Sequence, residues 1–217
     1  MFIGHFAIGF GAKKWAPTVS LGVLFVACQL ADLIWPVLVL LGIEQVAITP
    51  GITTMTPLDF QHYPWSHSLV LLAAWSGLFA LVYLALTRAG WRIALVVALV
   101  AFSHWVLDFL THRPDLPLAP GASQKLGIGL WNLPAVAIAL ELGLFALGLW
   151  LYGRHTRPVD RVGSYALWGL AAFLLLAYVV NLLGPPPPSA DTVARSALAF
   201  WGIVAWGFWI DRHRVPV

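Results

Sequence analysis

Six apolar stretches, each close to the roughly 20 residues that cross a bilayer as a helix, dominate this 217-residue chain. They are Pro17–Ile43, Ser66–Thr87, Trp91–Leu110, Leu133–Tyr152, Val162–Leu183 and Val193–Ile210. Only 10% of residues are charged, where a soluble domain carries about 25%. This predicts an all-α, polytopic membrane helix bundle. The whole chain, 1–217, reads as a single integral-membrane domain with no soluble module. A shorter apolar piece, Phe2–Ala12, precedes the six. At about 1.5 Å per residue it reaches roughly half the hydrocarbon thickness, which predicts a half-spanning or re-entrant helix. It ends at Lys13-Lys14, and Pro17 suits the first turn of the next helix. No basic region precedes the first apolar stretch, so the N-terminus is expected to be retained. Many of the twelve tryptophans fall near predicted helix ends, as an interfacial belt does.

Charge sets the expected orientation. One side of the bundle carries nine cations: Lys13, Lys14, Arg88, Arg92, Arg154, Arg157, Arg161, Arg212 and Arg214. The other carries three: Arg113, Lys125 and Arg195. The positive-inside rule places the first side, and both ends of the six-helix bundle, in the cytoplasm. The loops 44–65 and 111–132 then face outward, with Pro185–Pro188 as a rigid outer turn. The expected location is a bacterial-type inner membrane, crossed several times.

Ionisable residues interrupt the apolar runs at a common depth. Asp32 stands roughly 22 Å along its helix from the cytoplasmic end, and His104 and Asp108 roughly 18 and 24 Å. His5 stands roughly 13 Å up the short helix, and Glu141 roughly 20 Å up its own. His67 begins the second span at its outer end. A charge at mid-membrane costs a few kcal/mol even by insertion scales, so such groups usually face the bundle interior and serve a purpose. His104 and Asp108 are four apart and share one helical face. Asp108 and His112 repeat that spacing if the helix runs to Arg113. Imidazole and carboxylate together are the donor set of a borderline metal such as zinc.

Each residue also has a structural reading. A histidine in a membrane helix is often a hydrogen-bonded packing residue. His62, His112 and His155 lie in loops, where solvation is an ordinary fate, and His155 and His213 sit among arginines at the cytoplasmic interface. Glu141 can be a ligand, a partner to a neighbouring helix or a lipid-facing residue. Asp59, Asp115 and Asp160 read as loop solvation. Cys28 is alone in an apolar run and reads as packing, with no internal disulfide.

Four segments, taken in order, resemble a known family. They are Gly4-His5-Phe6-Ala7-Ile8-Gly9, then Asp32, then His62-Tyr63-Pro64-Trp65-Ser66-His67-Ser68, then His104-Trp105-Val106-Leu107-Asp108-Phe109-Leu110-Thr111. This pattern resembles the YdjM-like inner-membrane metal-dependent hydrolases, themselves similar to the zinc-dependent phospholipase C and nuclease group. The resemblance covers residues 1–132, the expected metal-site half. The helices of 133–217 lie outside it. Ala31 stands where the family pattern has proline, Ile34 where it has a second aspartate, and Tyr63-Pro64 where it has Arg-Gly. The missing carboxylate favours fewer ions, one or two. The resemblance implies His5, Asp32, His67, His104 and Asp108 as ligands of zinc, with His62 joining them.

The reading with the most residues behind it is a membrane-embedded, metal-dependent hydrolase of a phosphoester in a lipid or lipid-linked substrate. His62 and His112 are its candidate acid–base groups. Arg113 and Lys125 are candidate phosphate contacts, and equally ordinary interface cations. The alternatives are an ion, proton or metal transporter, a structural metal site, and a b-type haem protein with paired histidines. No P-loop, dinucleotide fingerprint or serine elbow is present, and the cations form no nucleic-acid patch.

Overall fold

The computed structural model describes residues 1–217. Helix α1 (Ile3–Gly11) is the short N-terminal helix. Helices α2 (Leu21–Cys28) and α3 (Leu30–Leu40) follow. Strands β1 (Gln45–Ile48) and β2 (Leu58–His62) form an antiparallel hairpin. The short α4 (Pro64–His67) leads into α5 (Leu69–Thr87) and α6 (Trp91–Thr111). Then come a two-residue ribbon, β3 (Leu116–Pro117) with β4 (Lys125–Leu126), and α7 (Pro134–His155). Strand β5 (Thr156–Pro158), α8 (Arg161–Leu183), α9 (Ala190–Ala197), α10 (Phe200–Arg212) and β6 (Arg214–Pro216) complete the chain, with β5 and β6 paired.

The fold is mostly helical, as expected, and five helices are long and apolar enough to cross a membrane, counting α9–α10 as the single span Ala190–Arg212. The expected continuous helix Pro17–Ile43 is instead two helices bent by 57°. Ser20, not Pro17, starts it: the Ser20 hydroxyl accepts from Val23 N–H. The break falls at Gln29, whose backbone leaves the helical region at φ −109°, ψ 13°. Counting the bent pair as one span brings the total to six. Pro36 sits inside α3 and lacks the N–H that would bond the carbonyl of Asp32, four residues earlier. The expected loop 44–65 folds as the β1–β2 hairpin, so the chain is not purely helical.

Helix α1 lies between α7, α2 and α6. Its inner half is packed in aromatic rings. Phe25 meets Phe6 and Phe10 edge to face, with centroids 5.2 and 5.0 Å apart, and Phe10 meets Tyr152 at 5.5 Å. All four residues are fully buried. Beneath that floor Lys13 donates to Val19 O (2.7 Å) and pairs with Asp211 at 3.3 Å, while Asp211 accepts from Leu21 N–H. This cluster ties the end of α1 and the start of α2 to α10.

The close fit of α1 on α7 depends on Gly148. A Cβ there would stand 2.3 Å from Ala7 O and 2.8 Å from Ala7 Cα, backbone that cannot swing away. Gly143, on the same helix, has open space around it. Gly148→Ala is expected to lower stability by about 1–3 kcal/mol through overpacking. Gly143→Ala should leave it level or slightly raised, because alanine is the better helix former. Thermal unfolding of both variants in detergent checks this; equal melting points would mean that α1 is not seated on α7 as described.

Candidate metal centre

Asp108 is the hub. It sits on α6, one turn beyond His104, and is 2% exposed. Its two oxygens face different neighbours. Oδ1 lies 3.0 Å from His5 Nε2 and 3.9 Å from His112 Nε2. Oδ2 lies 3.1 Å from His104 Nε2 and 3.9 Å from His67 Nε2. Asp32, one turn past the Gln29 bend, brings Oδ1 to 3.5 Å from His67 Nε2 and 3.8 Å from His104 Nε2. The amino group of Met1 also reaches Asp108 Oδ1, at 2.6 Å. The rings of His5 and His104 stack, with centroids 3.8 Å apart and planes at 6°. The fold thus brings together His5, Asp32, His67, His104 and Asp108, the five residues that stood at a common depth in the sequence.

The hydrogen bonds behind the imidazoles decide which nitrogen faces the centre. His104 Nδ1 is 2.9 Å from the carbonyl of Cys28. A carbonyl only accepts, so Nδ1 carries the hydrogen, and Nε2 presents a lone pair in the neutral ring or an N–H in the imidazolium. That Nε2 is fully buried and has no hydrogen-bond partner. It stands 3.1 Å from Asp108 Oδ2, a contact that either a proton on Nε2 or a metal ion between the two atoms makes favourable. His67 follows the same logic through one more link. Ser66 O–H donates to Glu44 Oε2 (2.6 Å), so Ser66 Oγ accepts from His67 Nδ1–H at 2.7 Å. Glu44 Oε1 in turn accepts from the backbone N–H groups of Trp65 and Ser66, at 2.8 and 2.9 Å. His112 Nδ1–H donates to Asp115 Oδ1 (2.9 Å), which also accepts from Tyr63 O–H (2.8 Å). Burial and the Asp115 carboxylate push the Tyr63 phenol well above its ordinary value, keeping it a neutral donor. Three histidines therefore have Nδ1 committed and Nε2 turned inward, the arrangement that orients metal-ligating imidazoles.

The spacing fits an ion. Tetrahedral bonds of about 2.1 Å separate ligand atoms by about 3.4 Å. His5, His104 and Asp108 form one group of three donors within 4.8 Å of one another, and Asp32, His67 and His104 a second. These buried His/Asp groups can hold a metal ion.

Other candidates fall elsewhere. His62 is exposed at the end of β2 and makes no hydrogen bond or ion pair with the cluster. His112 reaches the cluster, but by another route than expected: α6 stops at Thr111, and His112 is its extended C-cap, at ψ 144°. Arg113 is engaged by Asp59 and, at 3.2 Å, by Asp115. Lys125 is exposed and donates to Gln61 O at 3.4 Å. Glu141 is buried and caps α1, accepting from Phe2 N–H (2.9 Å) and Gly4 N–H (3.2 Å). Asp115, expected to be solvated, is 3% exposed. Asp160 caps α8 through Gly163 N–H and pairs with His213. Ser68 caps α5, accepting from Leu71 N–H. Sequence reasoning missed Glu44. Its only signal was an acid just outside an apolar run, in a segment whose path was unknown.

A cavity of about 780 Å³ opens onto Asp32, His67, Asp108 and His112. The β1–β2 loop closes it on one side, and the Pro185–Pro187 turn with α9 on the other. Neither Arg113 nor Lys125 lines it. No family model, curated protein or solved structure matches this chain.

If the Glu44–Ser66–His67 chain holds His67 for an ion, Ser66→Ala should weaken zinc binding about 10–100-fold, the usual effect of removing such a partner. Zinc competition against a calibrated chelator measures it. Unchanged affinity would show that Ser66 serves only the helix start.

Proposed function

We propose that this protein is a membrane-embedded, zinc-dependent hydrolase of a phosphoester in a lipid or lipid-linked substrate. The observation that carries the reading is the set of three inward Nε2 atoms within 3.9 Å of Asp108, beside a cavity large enough for a headgroup. His5, Asp32, His67, His104 and Asp108 would hold one or two ions. Bound zinc supplies Lewis-acid polarisation of a phosphoryl oxygen and lowers the pKa of water toward ~7. His112 is placed to take a proton from the attacking water and return it to the leaving alcohol, with Asp115 steadying the ring. His62, Arg113 and Lys125 have no part in this reading, because none of them faces the cavity.

Two observations weigh against the alternatives. A transporter needs a polar path to the opposite face, and the aromatic floor of Phe6, Phe10, Phe25 and Tyr152 lies below the cluster. A bis-histidine haem needs two rings on opposite sides of a macrocycle, and His5 stacks directly on His104. With the bent α2–α3 pair read as the sixth span, the cation count supports a cluster in the outer half of the membrane.

The test is bound zinc and turnover of a phosphodiester and phosphomonoester panel. Asp108→Ala is expected to lose metal and turnover together. His112→Ala should keep metal and lose about 10²–10⁴-fold in turnover. His62→Ala should match wild type. Wild type free of metal, or equally active after chelation, contradicts the hydrolase; metal without turnover points to a structural ion.

Orientation has its own check. Cys28 is the sole cysteine and is buried, so single-cysteine labelling has a clean background. Gln124→Cys should react with an impermeant reagent outside intact cells and Arg157→Cys should not. The reverse pattern would invert the topology.

A further inference from the structure

A second hollow shares no residue with the cavity above the cluster. It is a groove of about 460 Å³ between α6 and α7, with α1 as its floor. Ala7, Gly11 and Ala12 line that floor, and their small side chains leave the space. Val96 and Leu99 of α6 and Leu147 and Leu151 of α7 form the walls. Leu99 is 58% exposed and Leu147 50%, so the groove opens outward between the helices. No charged side chain lines it. Both wall helices are long and apolar enough to cross a membrane, so the surroundings of the groove are hydrocarbon.

One end of the groove lies among cations. Trp15 lines that end, and Lys14 lies over its ring at 4.9 Å. Arg92 stands four residues before Val96, and Arg154 three after Leu151. Each arginine therefore shares a helix face with a wall residue and lies within about one turn of it. All three cations are exposed. Arg92 lies over Trp91 at 5.6 Å and Arg154 over Trp150 at 5.7 Å, and neither they nor Lys14 pairs with a carboxylate. The carboxylates at this end of the bundle are taken by other partners, Asp211 by Lys13 and Asp160 by His213. An apolar trough thus runs up to positive charge that the protein itself leaves uncompensated.

Charge decides between the occupants that such a trough could take. A second copy, related by a two-fold axis along the membrane normal, would set the same three cations against their own images, and like charges facing one another disfavour that pairing. A lipid with a net negative headgroup brings the opposite charge to the same place and an acyl chain to the trough below it. Basic pockets between spanning helices recognise anionic headgroups in this way. A zwitterionic lipid carries an ammonium beside its phosphate, which offsets the attraction. We infer that the groove between α6 and α7 holds one anionic phospholipid, with an acyl chain on the α1 floor and its phosphate among Lys14, Arg92 and Arg154. The site is separate from the Asp108 cluster and does not depend on the hydrolase reading.

The experiment places the full chain in nanodiscs with equal parts of phosphatidylglycerol and phosphatidylcholine, and native mass spectrometry counts the lipid retained. One phosphatidylglycerol per protein is expected, about tenfold or more over phosphatidylcholine. Lys14→Gln, Arg92→Gln and Arg154→Gln should each cut that preference about fivefold, the usual worth of one cation near an anionic membrane surface. Arg161→Gln, at the start of α8, removes a cation from the same end of the bundle and should leave the preference unchanged. A second arm uses phosphatidylglycerol with a photoreactive group in its acyl chain. Labelling should concentrate on 96–100 of α6 and 144–151 of α7, and Leu99→Trp, which fills an exposed wall position, should remove it. Equal retention of the two lipids overturns the inference, as does a preference unmoved when all three cations are replaced. Labels spread evenly around the bundle, or a cross-linked dimer joined through the groove, overturn it as well. The wild-type labelling pattern decides the matter even where a variant fails to fold.

Discussion

A carboxylate buried among imidazole nitrogens and the Met1 ammonium is the constraint from which the rest of this structure can be understood. Asp108 lies in an apolar bundle, and an isolated charge there is strongly unfavourable. Four histidine nitrogens lie within 3.9 Å of its oxygens. Three of those rings are held from behind, by the Cys28 carbonyl, by Ser66 and Glu44, and by Asp115 and Tyr63. These bonds fix tautomer as well as position. They turn Nε2 toward a negative group whose Oδ1 already meets the Met1 ammonium at 2.6 Å, and a proton or metal ion on the Nε2 side would compensate the rest of its charge. Glu141 serves the same end by capping the helix that carries His5.

The fold supplies such a centre with one open side. Below it, Phe6, Phe10, Phe25 and Tyr152 form a floor, anchored further in by the Lys13–Asp211 pair. Above it, the β1–β2 hairpin and the Pro185–Pro187 turn frame the cavity. The site is thus closed toward the cytoplasmic side of the proposed topology and open toward the outer side. That asymmetry suits an enzyme acting on a substrate from the outer leaflet better than a conduit.

Much of this was legible in the sequence, and the reasons are particular. The long apolar runs gave the spanning helices, because backbone groups in hydrocarbon must bond within the segment. The five central residues stood out because ionisable groups are rare at that depth. The bend at Gln29 was not legible: neither proline nor glycine marks it, and the run is apolar on both sides. The loop carboxylates Glu44 and Asp115 looked solvated because their burial depends on how the outer segments fold over the bundle. The hairpin did leave a trace, since Val46 and Ile48 alternate with Gln45 and Ala47, and Leu58 and Phe60 with Asp59 and Gln61. His62 shows the limit of motif reading, for it matches a family pattern and yet ends on an exposed strand.

The most direct test of the account is X-ray absorption at the zinc K-edge on purified, zinc-loaded protein. The account predicts nitrogen and oxygen neighbours at about 2.0–2.2 Å, at least two of them imidazoles by their multiple scattering, and no sulfur. Asp108→Ala should lose this spectrum. A sulfur shell near ~2.3 Å, a fully hydrated ion, or an unchanged spectrum in Asp108→Ala would contradict a zinc centre built around Asp108.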